Sequence, residues 1–384
     1  METVKNIYYV GVDDRDIDLF EGQYVVPNGV SYNSYVIMDD KITVMDTVDV
    51  HKKDVWLNNL EKVLNGRVPE YIVVSHVEPD HSGSLEVFLE KYKNVKIVSN
   101  AKVFSMISQF FPELKMDDRK VVVNENDTLS LGSHVLKFIL APMVHWPEVM
   151  MTFEETEGIL FSADAFGKFG TLDTVEKWDD EARRYYFNIV GKYGAQVQTL
   201  LKKVAVLDIK RIFPLHGPIL NDNLNYYIGK YNLWSSYQPE NNGILIAYAS
   251  IYGNTKNVVD EITCLLRENK ENVVLIDLAR EDISRAVENA FRYDRLILAS
   301  PTYDGGLFPA MENFILRLKS KNYQNRKVAF VENFSWAPMA AKKMKELMET
   351  MKNIEFVEDV VSIKSAIKSE DMMQIENLVN KIRL

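Results

Sequence analysis

Beyond a polar break at Tyr237-Gln238-Pro239-Glu240-Asn241-Asn242-Gly243, the chain settles into an alternation that few folds accommodate. Apolar, strand-like runs fall at 244–249, 273–278, 296–300, 328–331 and 354–361. Between the first two, Val258, Ile262, Leu265 and Leu266 recur at helical spacing. Strands separated by helices must return through crossovers, which makes them parallel and buries both faces. Five such strands in about 140 residues predict a doubly wound parallel sheet.

The part before the break reads differently. Short strand signals crowd 8–10, 30–38 and 42–46; a helix (Leu85, Phe88, Leu89, Tyr92), a strand at 95–98 and a second helix (Val103, Met106, Ile107, Phe110) follow. Strands return at 135–140, 149–153 and 159–162, which predicts mixed α/β structure with antiparallel hairpins. Two domains are expected, residues 1–240 and 241–384, consistent with a length of 384 that exceeds one ordinary core.

Composition closes off several classes. A formal charge of −10 without a dense Lys/Arg patch argues against a nucleic-acid partner. No apolar run approaches the roughly 20 residues that span a bilayer. The start, Met1-Glu2-Thr3-Val4-Lys5, lacks the basic and apolar regions of a secretion signal, so a cytoplasmic protein is expected. The single cysteine, Cys264, excludes an internal disulfide and a four-cysteine iron site. Its helical face, with Val259, Ile262 and Leu266, predicts a buried thiol.

Only six histidines occur, and two lie in Ser75-His76-Val77-Glu78-Pro79-Asp80-His81-Ser82-Gly83-Ser84, directly after an apolar run, Tyr71-Ile72-Val73-Val74. A strand end followed by a tight turn can aim His76, Glu78, Asp80 and His81 into one volume. Three more ligand-type residues follow apolar strands: His145, Asp164 and His216. Each alone is an ordinary loop residue, but the joint pattern suits two metals sharing a carboxylate. His51 and His134 stand in polar or turn contexts and are expected at the surface.

The order H-x-E-x-D-H, then His, Asp and His, resembles the metallo-β-lactamase fold as it occurs in flavodiiron proteins (A-type flavoproteins). The zinc hydrolases of that superfamily carry H-x-H-x-D-H, and here Glu78 stands for the second His. A carboxylate adds charge and hard oxygen donors, which favour iron. The resemblance assigns His76, Glu78 and His145 to one iron, Asp80, His81 and His216 to the other, and Asp164 between them. Asp46 matches a superfamily carboxylate that stands near the site without binding metal.

The second half carries matching loops. Ala247-Tyr248-Ala249-Ser250-Ile251-Tyr252-Gly253-Asn254-Thr255-Lys256 is a strand, a hydroxyl-rich turn and a helix start, an anion cradle suited to the phosphate of FMN as in flavodoxins. Ser300-Pro301-Thr302-Tyr303-Asp304-Gly305-Gly306-Leu307-Phe308-Pro309 strongly resembles the corresponding flavodiiron loop, and Asn333-Phe334-Ser335-Trp336-Ala337-Pro338 matches less closely, with Phe334 where many relatives have glycine. The likeness to flavodoxins implies a 2-1-3-4-5 sheet in which these loops stand beside the first, and Tyr303 and Trp336 offer flat faces for a flavin ring.

The implied protein is a metallo-β-lactamase-like αββα domain followed by a flavodoxin-like domain, holding two irons and FMN. The implied activity is reduction of dioxygen to water or nitric oxide to nitrous oxide. Implied electron donors are rubredoxin or a reduced deazaflavin coenzyme, and the implied assembly is a head-to-tail homodimer or a dimer of dimers. Glu21, Tyr24 and Trp146 are candidates for shaping the choice of gas. The competing reading is a zinc hydrolase fused to a flavodoxin, which Glu78 argues against.

Overall fold

The computed structural model describes residues 2–384, which form two compact units. One runs up to Tyr186 and includes Ala195–Asn232; the other comprises Phe187–Gly194 and Leu233–Leu384.

The first unit stacks two sheets. The larger has the order Glu2–Val4, Ile7–Tyr9, Tyr35–Ile37, Thr43–Met45, Tyr71–Val73, Lys96–Ser99, Lys120–Val122. It is antiparallel up to Thr43–Met45 and parallel beyond. The other runs Thr128–Ser130, Val135–Leu140, Met150–Glu154, Ile159–Phe161, Arg211–Phe213, antiparallel except for the last pair. Alternate side chains meet between the sheets: Tyr35, Ile37, Met45, Val73 and Val98 from one, Phe138, Met150, Ile159, Phe161 and Phe213 from the other. The intervening residues Val36, Val44, Ile72 and Ile97 are buried as well, which is why these strands read as continuous apolar runs. The helix Lys53–Leu64 buries Trp56, Leu60 and Leu64; the Trp56 indole N–H donates to Ser34 Oγ at 3.0 Å. The run 30–38 is two strands, Val30–Tyr32 and Tyr35–Ile37, because Asn33 and Ser34 turn the chain between sheets.

The second unit has the strand order Val273–Asp277, Asn241–Tyr248, Tyr293–Tyr303, Gln324–Phe334, Lys352–Lys364, all parallel. In sequence order this is the expected 2-1-3-4-5. Helices Asn254–Glu268 and Met372–Arg383 cover one face through Val258, Ile262, Leu266, Ile375 and Leu378. Ile283–Arg292, Pro309–Ser320 and Ala340–Met348 bury Phe291, Met311, Phe314 and Met344 elsewhere in the unit. Phe187 stacks on Phe291, 4.2 Å between centroids, and ties its segment to this unit. No helix among the described residues is long and apolar enough to cross a membrane.

Two expectations need correction. Cys264 is exposed, with Sγ 3.8 Å from Glu268 Oε1. It lies two positions from both Ile262 and Leu266, about 200° around the helix at 3.6 residues per turn, so it cannot share their face. His134 is buried, its Nδ1 3.0 Å from Glu154 Oε1 beneath the turn that Asp39 ties down.

The His134–Glu154 pair predicts a pH dependence. The Glu154 carboxylate raises His134 above its ordinary 6.5 against the opposing effect of burial. Burial would raise Glu154, but His134 and the amides of Glu157 and Thr156 outweigh it and hold Glu154 low. A raised histidine contributes stability that is complete below its unfolded value and lost as pH rises through the folded one; a depressed glutamate contributes stability lost as pH falls. The pair therefore stabilises between those limits. Melting temperature should fall from pH 6 into the alkaline range, and His134→Gln should flatten that slope; an unchanged slope would remove the pair from the account.

Candidate functional site

Four strand ends in the first unit bring the seven expected ligand-type residues together. His76 follows Tyr71–Val73, His145 follows Val135–Leu140, Asp164 follows Ile159–Phe161 and His216 follows Arg211–Phe213. Pro79 opens the turn Pro79–Ser82, which carries Asp80 and His81 back toward the same volume.

The seven form two groups. His76, Glu78, His145 and Asp164 each offer one atom within 4.8 Å of one another, and so do Asp80, His81 and His216. Asp164 serves both. Its Oδ2 lies 3.3 Å from His76 Nε2 and 3.1 Å from His145 Nε2. Its Oδ1 lies 3.1 Å from His81 Nε2 and 3.7 Å from His216 Nε2. Glu78 Oε2 is 3.0 Å from His145 Nε2; Asp80 Oδ2 is 3.2 Å from His216 Nε2.

These spacings test whether metal fits. Both oxygens of Asp80 and His145 Nε2 are buried without a hydrogen-bonding partner, although carboxylates stand about 3 Å from His145 Nε2. Nitrogen and oxygen atoms that approach without hydrogen-bond angles share a focus. Ligands about 2.1 Å from one ion and at right angles to each other sit about 3 Å apart. The donor set, imidazole with carboxylate, suits iron.

The surrounding residues aim the rings. Glu148 Oε1 is 2.7 Å from His76 Nδ1 and accepts the Val77 N–H at 3.1 Å, leaving His76 Nε2 to face inward. His216 Nδ1 donates to the Ser31 carbonyl at 2.8 Å, and Asn33 Nδ2 donates to the carbonyls of Pro214 and Gly217 on either side. Asp46 sits in the left-handed region, φ 54°, and Oδ1 accepts the Ser75 N–H at 2.6 Å. Burial pushes its carboxyl up to about 6 despite that bond. Burial alone would lower His145, but Asp164 and Glu78 push it up to about 9. His76 and His81 are raised in the same way by carboxylates, while the imidazoles hold Asp164 and Glu78 well below the usual range against burial. The carboxylates attract positive charge to one buried volume, whether as protons or as metal ions.

Sequence reasoning missed Glu148, Ser31 and Asn33. They act across loops rather than along the chain, and only the closeness of Glu148 to His145 in "HWPE" hinted at it. Outer partners of this kind are worth roughly 10–100-fold in metal affinity or activity. Glu148→Ala should cost that much iron affinity, read by chelator competition; wild-type affinity would show that His76 is held by its packing alone.

A cavity of about 610 Å³ opens beside the centre, lined by Glu78, Asp80, Phe20 and Tyr32 together with Asp14, Asp16, Asp49 and Glu21. Lys52 Nζ bridges Asp14 at 2.9 Å and Asp16 at 2.6 Å. His51 is exposed at this rim, Tyr24 packs on Phe169 instead, and Trp146 stands edge-on to His76.

In the second unit a cavity of about 380 Å³ lies at the carboxyl ends of the first, third and fourth strands. It is lined by Ser250, Tyr252, Asn254, Thr255, Pro301, Thr302, Tyr303, Asp304, Gly305, Asn333, Ser335, Trp336 and Ala337, with Ile251 and Phe334. Gly253 is the expected residue outside the lining. It holds the turn at φ 93°, where Ser250 Oγ accepts the N–H groups of Gly253 and Lys256. An added Cβ at Gly253 or Gly305 would meet nothing within 4 Å, so both leave open backbone for a ligand to approach. Thr302 Oγ1 accepts the Met339 and Ala340 N–H groups, so its hydroxyl caps a helix. Tyr252 and Trp336 are 94% and 91% exposed, flat faces without a protein cover.

A β-lactamase-like metal domain carrying two adjoining ligand groups, joined to a flavodoxin domain, defines the class. The models that match are "ODP family beta lactamase" over residues 30–217 and "Flavodoxin domain" over 245–361. A flavo-diiron protein of Clostridium acetobutylicum is 31% identical over 89% of this chain and 90% of its own. An anaerobic nitric oxide reductase flavorubredoxin of Vibrio vulnificus is 28% identical over 86% of this chain and 69% of its own. The solved rubredoxin oxygen:oxidoreductase of Desulfovibrio gigas superposes with a TM-score of 0.93, at 25% identity, over 100% of this chain and 97% of that one. The chain belongs to the flavo-diiron protein family.

Proposed function

We propose that this protein is a diiron and FMN oxidoreductase that reduces dioxygen to water, nitric oxide to nitrous oxide, or both, with electrons from a separate donor. The observation that carries the reading is Asp164, whose two oxygens each face one ligand group. Two-metal hydrolases also pair such groups, so the choice between the readings falls to Glu78, whose carboxylate in place of an imidazole favours iron over zinc.

His76, Glu78 and His145 would hold one iron, Asp80, His81 and His216 the other, and Asp164 both. Ser250, Tyr252, Gly253, Asn254 and Thr255 would cradle the FMN phosphate; Pro301, Thr302, Tyr303, Asp304, Gly305, Asn333, Ser335, Trp336 and Ala337 would surround the ring. When bound, the groups supply a pair of Lewis acids and four electrons, the number that takes one dioxygen to two waters. The chain's part is to fix geometry: Glu148 and Ser31 orient the imidazoles, Asp164 sets the spacing, and Phe20 and Tyr32 wall the approach. Rubredoxin and a reduced deazaflavin coenzyme are the donors to test first, and the cytoplasm is the compartment.

The assembly would be a head-to-tail homodimer or a dimer of dimers, in which one chain's flavin serves the other's irons. Support comes from the exposed Tyr252 and Trp336 at one cavity and exposed Leu19 at the other, large apolar groups that a second chain would cover. Sedimentation should give the mass of two or four chains, and a single-chain mass would remove this arrangement.

The deciding experiment supplies the iron-loaded, FMN-reduced protein with one donor and follows dioxygen and nitric oxide with electrodes. Consumption of either gas is expected, and the faster one names the physiological substrate. If neither is consumed while zinc fills the site, the hydrolase reading replaces this one.

A further inference from the structure

Trp146 is an oxidisable side chain that packs on two of the ligand-type histidines. The Trp146 indole meets the His76 ring edge-on, 5.1 Å between centroids and 89° between planes, and lies 6.2 Å from the His145 ring. Its face stacks on Phe110 at 6.2 Å and 14°, and Phe110 is 41% exposed, so the indole bridges the ligand histidines and the surface layer. Glu148, in the same turn, leaves Oε2 buried without a donor, which makes the neighbourhood favourable to positive charge.

Tyrosines flank the centre on the other side. Tyr32 and Tyr185 pack against the His216 ring at 6.1 and 5.5 Å. Both phenols are buried, away from solvent that could take up a proton. A phenol must shed its proton as it is oxidised, whereas an indole can hold the positive charge on its ring before its N–H proton leaves. Trp146 is therefore the easier one-electron donor to the centre.

We propose that Trp146 is a one-electron reserve, used when dioxygen is taken up with three electrons in place instead of four. The missing electron leaves the indole and completes the reduction to two waters. The Nε1 proton then passes to solvent, leaving a neutral indolyl radical. The next electron supplied by the external donor, with a proton from water, would restore the side chain. The inference rests on the dioxygen-reducing reading above.

The test uses full-length protein loaded with iron and FMN, titrated anaerobically to three or to four electrons per chain, mixed with dioxygen and freeze-quenched for electron paramagnetic resonance. An indolyl radical is expected in the three-electron sample and not in the four-electron one. It should be lost in Trp146→Phe and retained in Phe110→Leu, with iron content measured in each. Protein grown on indole-deuterated tryptophan gives a check that requires no mutation, because the signal should narrow. Dioxygen consumed with no protein radical, a radical that survives Trp146→Phe, or a line shape indifferent to deuteration would overturn the reserve and leave the oxidoreductase reading standing. Failure of the four-electron sample to consume dioxygen would overturn the reserve together with the dioxygen-reducing reading, and nitric oxide consumption by the same sample would keep the oxidoreductase reading.

Discussion

Asp164→Asn is expected to empty both metal positions at once and to abolish gas consumption while leaving the flavin in place. The carboxylate is buried, and its two oxygens are divided between His76 and His145 on one side and His81 and His216 on the other. Asparagine keeps one oxygen, replaces the other with an NH₂ that cannot ligate, and removes the charge that balances the raised imidazoles. Removing an outer partner costs roughly 10–100-fold, so losing the carboxylate that both groups share should cost more than about 100-fold in activity. Iron per chain, measured with FMN content and gas consumption on one preparation, decides the matter. A variant that keeps two irons and its turnover would show that the two groups do not share this residue.

The second large effect belongs to the other unit. Gly253→Val places a β-branched residue at φ 93°, a conformation its side chain resists, with its Cβ in the open side of the turn. The turn must then shift, and the amides that Ser250 Oγ holds in place shift with it. Hydrogen bonds to a charged group are worth about 1.5–3 kcal/mol each, so losing two from the shifted loop to the phosphate should weaken FMN binding by roughly two to four decades. The expected preparation is colourless but iron-replete, folded, and inactive with any donor that works through flavin. Undiminished FMN affinity would move the phosphate to another loop.

Much of this was legible in the chain, for identifiable reasons. The second sheet announced its parallel character because strands that alternate with helices must return by crossovers, while its order followed from the likeness of its loops to those of flavodoxins. The seven ligand-type residues could be gathered from the chain because four of them sit between His76 and His81, where spacing alone brings them together. What stayed hidden depends on contacts across the fold. Glu148 meets His76 through a pairing of loops, and Ser31 reaches His216 from a strand far earlier in the chain. His134 looked exposed because its neighbours are polar, yet Glu154 and Asp39 close over it from other turns. Cys264 was misread for a local reason, an angular position on a helix.

The placement of the ligands at strand ends in both sheets has a consequence for how long the protein lasts. His76 extends from the larger sheet, while His145, Asp164 and His216 extend from the smaller one. A filled centre is thus a clasp across one edge of the sandwich, and separating the sheets requires the ions to leave first. An ion at 100 times its dissociation constant adds about 2.7 kcal/mol to the folded state, and two add more. Iron supply then sets the turnover of the polypeptide as well as of its substrate: a starved cell would hold a looser chain, open to proteases along Tyr71–Val73 and Arg211–Phe213, and a replete one would keep it.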